Sequence, residues 1–310
     1  MDHRHHLLAR CVSFRFRARG SALGTRRARL TTWPWEALAL LAALVLVACT
    51  APTKQSAAFA KQHVAELATA AREDVREIRS GLPEGGKVLA AILPPADKGE
   101  IDAPTAREAL EKARNKVQDL RVAKSTFFAL VAPNGVVIRN DQPQDRMVGK
   151  DLFASFPGLK PALAGPYTEA RGSMPEAAEV RGRPDGQWVA AVAVGPAPAR
   201  ALYATGWSWS AYAYRLENAL RSEARGKESQ GQKVPLLYAY VIVGSGVFGA
   251  PVSPDVNAKA VSDQALLGKL HGTEPTSVEL EITGRGFGLA AVRVPELGDD
   301  VALAVLRSET

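Results

Sequence analysis

The spacing of apolar residues changes at Thr126, from helical stripes to short runs, and that change limits the folds open to this chain. Ahead of it, Val64, Leu67, Ala71, Val75 and Ile78 recur every three or four positions, as do Ala106, Leu110, Ala113, Val117 and Leu120. Each set is the stripe of an amphipathic helix. The first helix is predicted from Ser56, a capping residue, to Ser80, with Gly81 as its stop. Residues 81–103, rich in Gly and Pro, predict a loop. The second helix starts near Thr105, where Thr105-x-x-Glu108 matches a capping box behind Pro104.

From Thr126 the apolar runs are short and separated by turn residues. Phe127–Ala132 predicts a strand, Pro133-Asn134-Gly135 a turn and Val136–Arg139 a returning strand. A helical stretch ending near Leu163, strands at Gln187–Val194 and Ala201–Trp207, and a helix from Ser210 to Ala224 follow. Arg225–Lys233 is a polar linker. Beyond it, strands are predicted at Leu236–Val243, Val247-Phe248, Ser277–Thr283, Phe287–Val294 and Val301–Leu306, with a helix at Val256–Leu270. The order hairpin, helix, strands thus occurs around 126–207 and again around 236–307. The fold class this predicts is α+β: a long N-terminal helix, then antiparallel sheet units, two in tandem.

Of the 310 residues, 39 are Lys or Arg and 32 are Asp or Glu, a net charge of +7. Eight of the Arg and only two of the acids fall in residues 1–48, so residues 49–310 carry +1. That near-neutral remainder excludes nucleic acid as the expected partner. The basic front runs into Ala37–Ala48, twelve residues without a polar side chain, too short for the roughly 20 that span a bilayer. It has the form of a signal peptide.

The run ends in Leu46-Val47-Ala48-Cys49, which resembles a bacterial lipobox. That resemblance implies removal of residues 1–48, lipidation (palmitate among the acyl groups) of Cys49, and a short tether over 49–55. It implies a protein anchored to the cell-envelope membrane and facing the periplasm. Thr50, where inner-membrane lipoproteins of enteric bacteria carry Asp, favours the outer membrane. About 34 residues precede the apolar run, so the true translation start is expected downstream of Met1. Cys11 leaves with the leader, and the mature chain has no free thiol.

Phe128-Ala-Leu-Val-Ala-Pro-Asn-Gly135-Val-Val-Ile, Asp145, Val148-Gly-Lys-Asp-Leu152 and Pro157-Gly-Leu-Lys-Pro-Ala-Leu163 together resemble the Cache and PAS-like sensor domains of bacterial extracytoplasmic receptors. With the second unit the resemblance covers about 56–307, as in a double Cache arrangement. It divides the mature chain into 56–225 and a smaller second unit at 234–310. It implies a sensor that binds a small ligand or a partner and passes the signal to another protein. This chain departs from the amino-acid-binding members, since their arginine-x-tryptophan-tyrosine run is missing: Arg183 and Trp188 stand too far apart. In such folds the pocket lies between the sheet and the segments covering it. Trp188, Tyr203 and Trp207 are the candidate walls, Tyr203 and Trp207 on one strand face by period two, with Arg139 and Arg183 as candidate charges. A cavity behind the three aromatics is the observation that would support this site.

Other chemistry finds little support. Gly244-Ser-Gly-Val-Phe-Gly249 spells a dinucleotide fingerprint, but Pro251 and Pro254 interrupt the helix it needs, so a glycine turn is expected. His63 is placed on a polar part of the first helix and His271 at a helix end, neither with a near-sequence partner, so no metal site is expected. No G-x-S-x-G elbow is present, and neither an enzyme nor a cofactor is expected. The rival reading is a structural or assembly lipoprotein on a PAS-like scaffold without a ligand. A hydrolase built on a Ser with His63 or His271 is a third.

Overall fold

A computed structural model describes residues 52–94, 101–165, 167–177, 185–196, 199–228 and 234–310. The leader, Cys49 and Arg183 lie outside the described residues.

Helix α1 runs from Pro52 to Ile92, 41 residues, or about 60 Å at 1.5 Å per residue. It starts inside the segment expected to be a tether. Its predicted stripe is buried, and the stripe continues through Leu82 and Leu89, both fully buried. Gly81 therefore does not stop the helix, and 81–92 is not a loop. The reason is lateral packing. A Cβ on Gly85 would sit 2.6 Å from both Leu120 and Tyr203, and one on Gly86 3.0 Å from Val192. The glycines let the helix lie directly on its neighbours, and the burial outweighs roughly 1 kcal/mol per helical Gly and about 3 for Pro83.

Helix α2 (Ala103–Lys116) is capped by Asp102, whose carboxylate accepts from Thr105 N at 2.7 Å, so the cap lies three residues before the one predicted. The helix is interrupted at Val117, which is extended, and resumes as α3 (Gln118–Val122). Strands β1 (Phe127–Val131) and β2 (Val137–Asn140) form the predicted hairpin. A short helix α4 (Leu152–Ser155) and a 3₁₀ stretch, Pro157–Ala164, follow. Then come β3 (Thr168–Gly172), β4 (Gln187–Val194) and β5 (Ala201–Ser208). These five strands make one antiparallel sheet in the order β2-β1-β5-β4-β3.

Helix α5 (Trp209–Glu228) leads to the second sheet. Its strands are β6 (Leu237–Val243), β7 (Gly246–Gly249), β8 (Thr276–Ile282), β9 (Arg285–Arg293) and β10 (Val301–Ser308). Helix α6 (Asp255–Asp263) lies between β7 and β8, and a separate 3₁₀ turn, Leu266–Lys269, replaces the end of the predicted helix. The order is β7-β6-β10-β9-β8, all antiparallel. Counted from its own first strand, each sheet has the order 2-1-5-4-3, so the expected repeat is a repeat of topology.

The layers repeat as well. One face of each sheet packs on α1: Phe128, Trp188, Val192 and Tyr203 from the first, Ala239, Val241, Val292 and Leu303 from the second, in one continuous apolar cluster. The outer face of the first sheet (Phe127, Val131, Val189, Leu202) is covered by Met147, Leu152, Phe156 and Leu159. The outer face of the second (Tyr240, Leu289, Ala304) is covered by Val261, Leu266 and Leu270. This is the mixed α+β tandem that the Cache/PAS-like resemblance implied. Among the described residues, no helix is long and apolar enough to cross a membrane.

Candidate functional site

The loop leaving β2 is folded around one carboxylate. Asp145 accepts from the backbone N–H groups of Asn140 (2.7 Å), Met147 (3.0 Å) and Val148 (3.0 Å). Arg139 Nε lies 3.6 Å from the same carboxylate, whose side chain is fully buried. Charge-assisted bonds to backbone amides are among the stronger ones in proteins, and three of them fix this loop's path. Met147 is thereby driven into the apolar layer, while the polar side chains between 140 and 146 border a cavity.

Two further bonds shape the loop. Asn140 Oδ1 accepts from Gln142 N at 2.9 Å, and Gln142 Nε2 donates to Thr126 O. Asp141 ties the loop to the rest of the unit: it accepts from Phe128 N (2.8 Å) and from Arg114 of α2 (3.1 Å). Burial pushes the Asp141 pKa up, against the Phe128 N–H and the Arg114 guanidinium, which favour its charge.

The cavity measures about 430 Å³ and is lined by Thr126, Phe127, Asn140, Gln142, Arg146 and Glu176 among others. It lies on the outer side of the first sheet, away from α1. Its wall mixes the Phe127 ring, two amides, a cation and an anion. The Glu176 carboxyl is held below its ordinary value by its own backbone N–H, by Lys150 at 3.1 Å and by the nearby Arg146. Its size and its mixture of one aromatic with convergent polar groups suit a small polar molecule. The second sheet has a counterpart of about 400 Å³ between β6 and α6, but its lining, with Ile242, Val247, Val261 and Leu266, is mainly apolar.

Behind this wall, Met174 N donates to Gln187 Oε1 (2.7 Å), and Ser173 Oγ and Gln187 Nε2 donate to Asp185 O. Asp185 Oδ1 accepts from Ser210 N at the start of α5 (3.2 Å), while its Oδ2 is buried without a hydrogen-bond partner. Burial raises the Asp185 pKa.

Tyr203 and Trp207 share a face, as period two predicted, and Trp188 of β4 pairs directly with Trp207 of β5 beside them. They sit on the α1 side, all at 1% exposure or less. Trp188 stacks on Trp207 at 4.6 Å between ring centroids, and Trp207 on Tyr212 of α5 at 4.7 Å. Phe128 stacks on Tyr203 at 5.9 Å. They fill the layer between sheet and helices, and the cavities on the outer faces of the two sheets are lined by other side chains. Arg139 is one residue from the cavity-lining Asn140. The sequence did not single out Asn140, Gln142, Arg146 or Glu176. The signal for them was Asp145, already part of the sensor-like motif, since a buried Asp after a hairpin marks a loop folded back on the sheet. The glycine run at 244–249 is turn and strand β7, as expected.

No protein-family model matches the sequence, and no curated protein matches it. Solved structures do match its fold. The extracellular domain of vpHK1S-Z8, assigned as a histidine kinase, has a TM-score of 0.53 at 6% identity, over 83% of this chain and 92% of that one. The ligand-binding domain of the Campylobacter jejuni chemoreceptor Tlp3, solved with 4-methylisoleucine, has a TM-score of 0.44 at 13% identity, over 84% and 93%. The sensor domain of the Vibrio cholerae histidine kinase DctB has a TM-score of 0.42 at 13% identity, over 90% and 100%. The likeness is one of fold, and the first of the three carries it.

Proposed function

We propose that this protein is a lipid-anchored periplasmic sensor that binds a small polar ligand beside its first sheet. The observation supporting this is the cavity of about 430 Å³. It is bordered by the Asp145 loop and presents Asn140, Gln142, Arg146 and Glu176. The lipobox resemblance at Leu46–Cys49 supplies the anchor, and α1 begins three positions after Cys49. Ligand binding would draw the loop onto the sheet. That shift would reach α1 through the Phe128–Tyr203 and Trp188–Trp207–Tyr212 stacks, and a membrane partner would read it at the anchored end.

Residues 50–310 form one compact unit, so thermal shift of that fragment against a metabolite library is a direct test. A stabilising hit that N140A and Q142A abolish is the expected result. A library without a hit would count against sensing and in favour of the scaffold reading.

A further inference from the structure

A second group of side chains joins α1 to α5, away from the cavity of the first sheet. His63 on α1 is only 9% exposed, not on a polar part of the helix, and its Nδ1 is buried without a hydrogen-bond partner. Glu66, three residues on, has its Oε2 3.6 Å from that nitrogen. Glu223 reaches in from α5. A ring nitrogen of His63 and one carboxylate oxygen from each Glu all lie within 4.8 Å of one another. His63 and Glu223 both line a cavity of about 270 Å³, together with Phe59, Leu237 and Arg307. Arg307 is engaged elsewhere: its Nη1 donates to Ser56 Oγ at 3.0 Å, and its guanidinium lies 4.7 Å over the Phe59 ring.

We propose that His63, Glu66 and Glu223 form a binding site for a divalent transition-metal ion, with zinc the best fit. The spacing His-x-x-Glu puts two donors on one helix face, and the facing helix supplies the third, a general way to build a metal site between packed helices. One imidazole with two carboxylates suits zinc, whereas magnesium and calcium are best served by oxygen alone. Three protein ligands leave a fourth position for water. A buried ring nitrogen without a partner is unfavourable, and coordination removes that penalty. A bound ion would pin α5 to α1 where the chain passes from the first sheet to the second.

The test is calorimetric titration of chelator-treated full chain in mild detergent with ZnCl₂ or MgCl₂. His3, His5 and His6 of the leader are first changed to Ala, because they would bind zinc themselves. One zinc per chain is expected, with magnesium far weaker. Glu66 is half exposed, so E66Q is safe for folding; it and E223Q should each lose about tenfold or more in zinc affinity with an unchanged circular dichroism spectrum. Cobalt in place of zinc should give visible absorption that H63A removes. No zinc binding, or binding unchanged in both E66Q and E223Q, would overturn the proposal.

Discussion

Several acids in this protein are buried, and their titration gives the fold an uncommon response to pH. Asp74 of α1 is 3% exposed, accepts from Tyr212 OH at 2.9 Å and faces Lys124 at 3.3 Å. Burial raises its pKa, with Lys124 and Tyr212 opposing. Glu217 of α5, fully buried, accepts from Ala239 N and Ser253 Oγ and pairs with Arg221, and its pKa is raised for the same reason. A raised folded-state pKa means the folded chain holds protons that the unfolded chain has released. Each such group therefore stabilises fully below the ordinary carboxylate range near pH 4. That stability is lost as pH rises through the raised value. Asp74→Asn stays neutral throughout, so its Tm relative to wild type should climb between pH 4 and pH 7. A Tm difference flat across that range would sink the argument.

At the scale of elements, strands were more legible than helix ends. Gln187–Val194 and the Asn-Gly hairpin follow directly from short β-branched and aromatic runs bounded by turn residues. β3, Thr168–Gly172, was missed because its half-exposed residues show no alternation of apolar and polar positions. The last third of α1 was missed because Gly81, Pro83, Gly85 and Gly86 are punctuation in an isolated chain, and only the sheet beneath them makes them useful. The cavity was hidden for a related reason: backbone amides gathered by Asp145 build it, and its lining side chains follow no periodicity. The other end of α1 depends on the same kind of contact. A Cβ on Gly288 of β9 would lie 2.1 Å from Ala57 N and 2.3 Å from Ser56 C, so Gly288→Ala must push helix and strand apart. It should cost about 2–3 kcal/mol in urea unfolding. Gly268→Ala, facing open space, should stay within about 0.5 kcal/mol. Equal stability of the two variants would contradict the docking described.

For the whole molecule, one helix serves two sheets. Ser56 Oγ donates to Ser308 O at 3.0 Å and Thr53 to Glu309 at one end, while Gly85 and Gly86 meet the first sheet at the other. The start of α1 and the end of β10 thus lie together, and the first sheet, with the cavity of the Asp145 loop, meets the far end of the helix. If Cys49 carries lipid, the second sheet is the one next to the bilayer. Cys49→Ser in a Gram-negative host should abolish incorporation of labelled palmitate and shift the protein out of the membrane fraction. Unchanged labelling would remove the anchor from the proposal.

The bare backbone contacts of α1 also bear on how such a chain can change over evolutionary time. A surface of side chains can drift, because a loss on one partner is offset by growth on the other. At Gly288 the neighbour is the backbone of α1 at Ser56 and Ala57, so no compensating exchange of side chains exists there. Among related chains Gly85 should therefore vary only together with Tyr203 and Leu120, while Gly288 stays fixed and marks the alignment when little other sequence likeness survives.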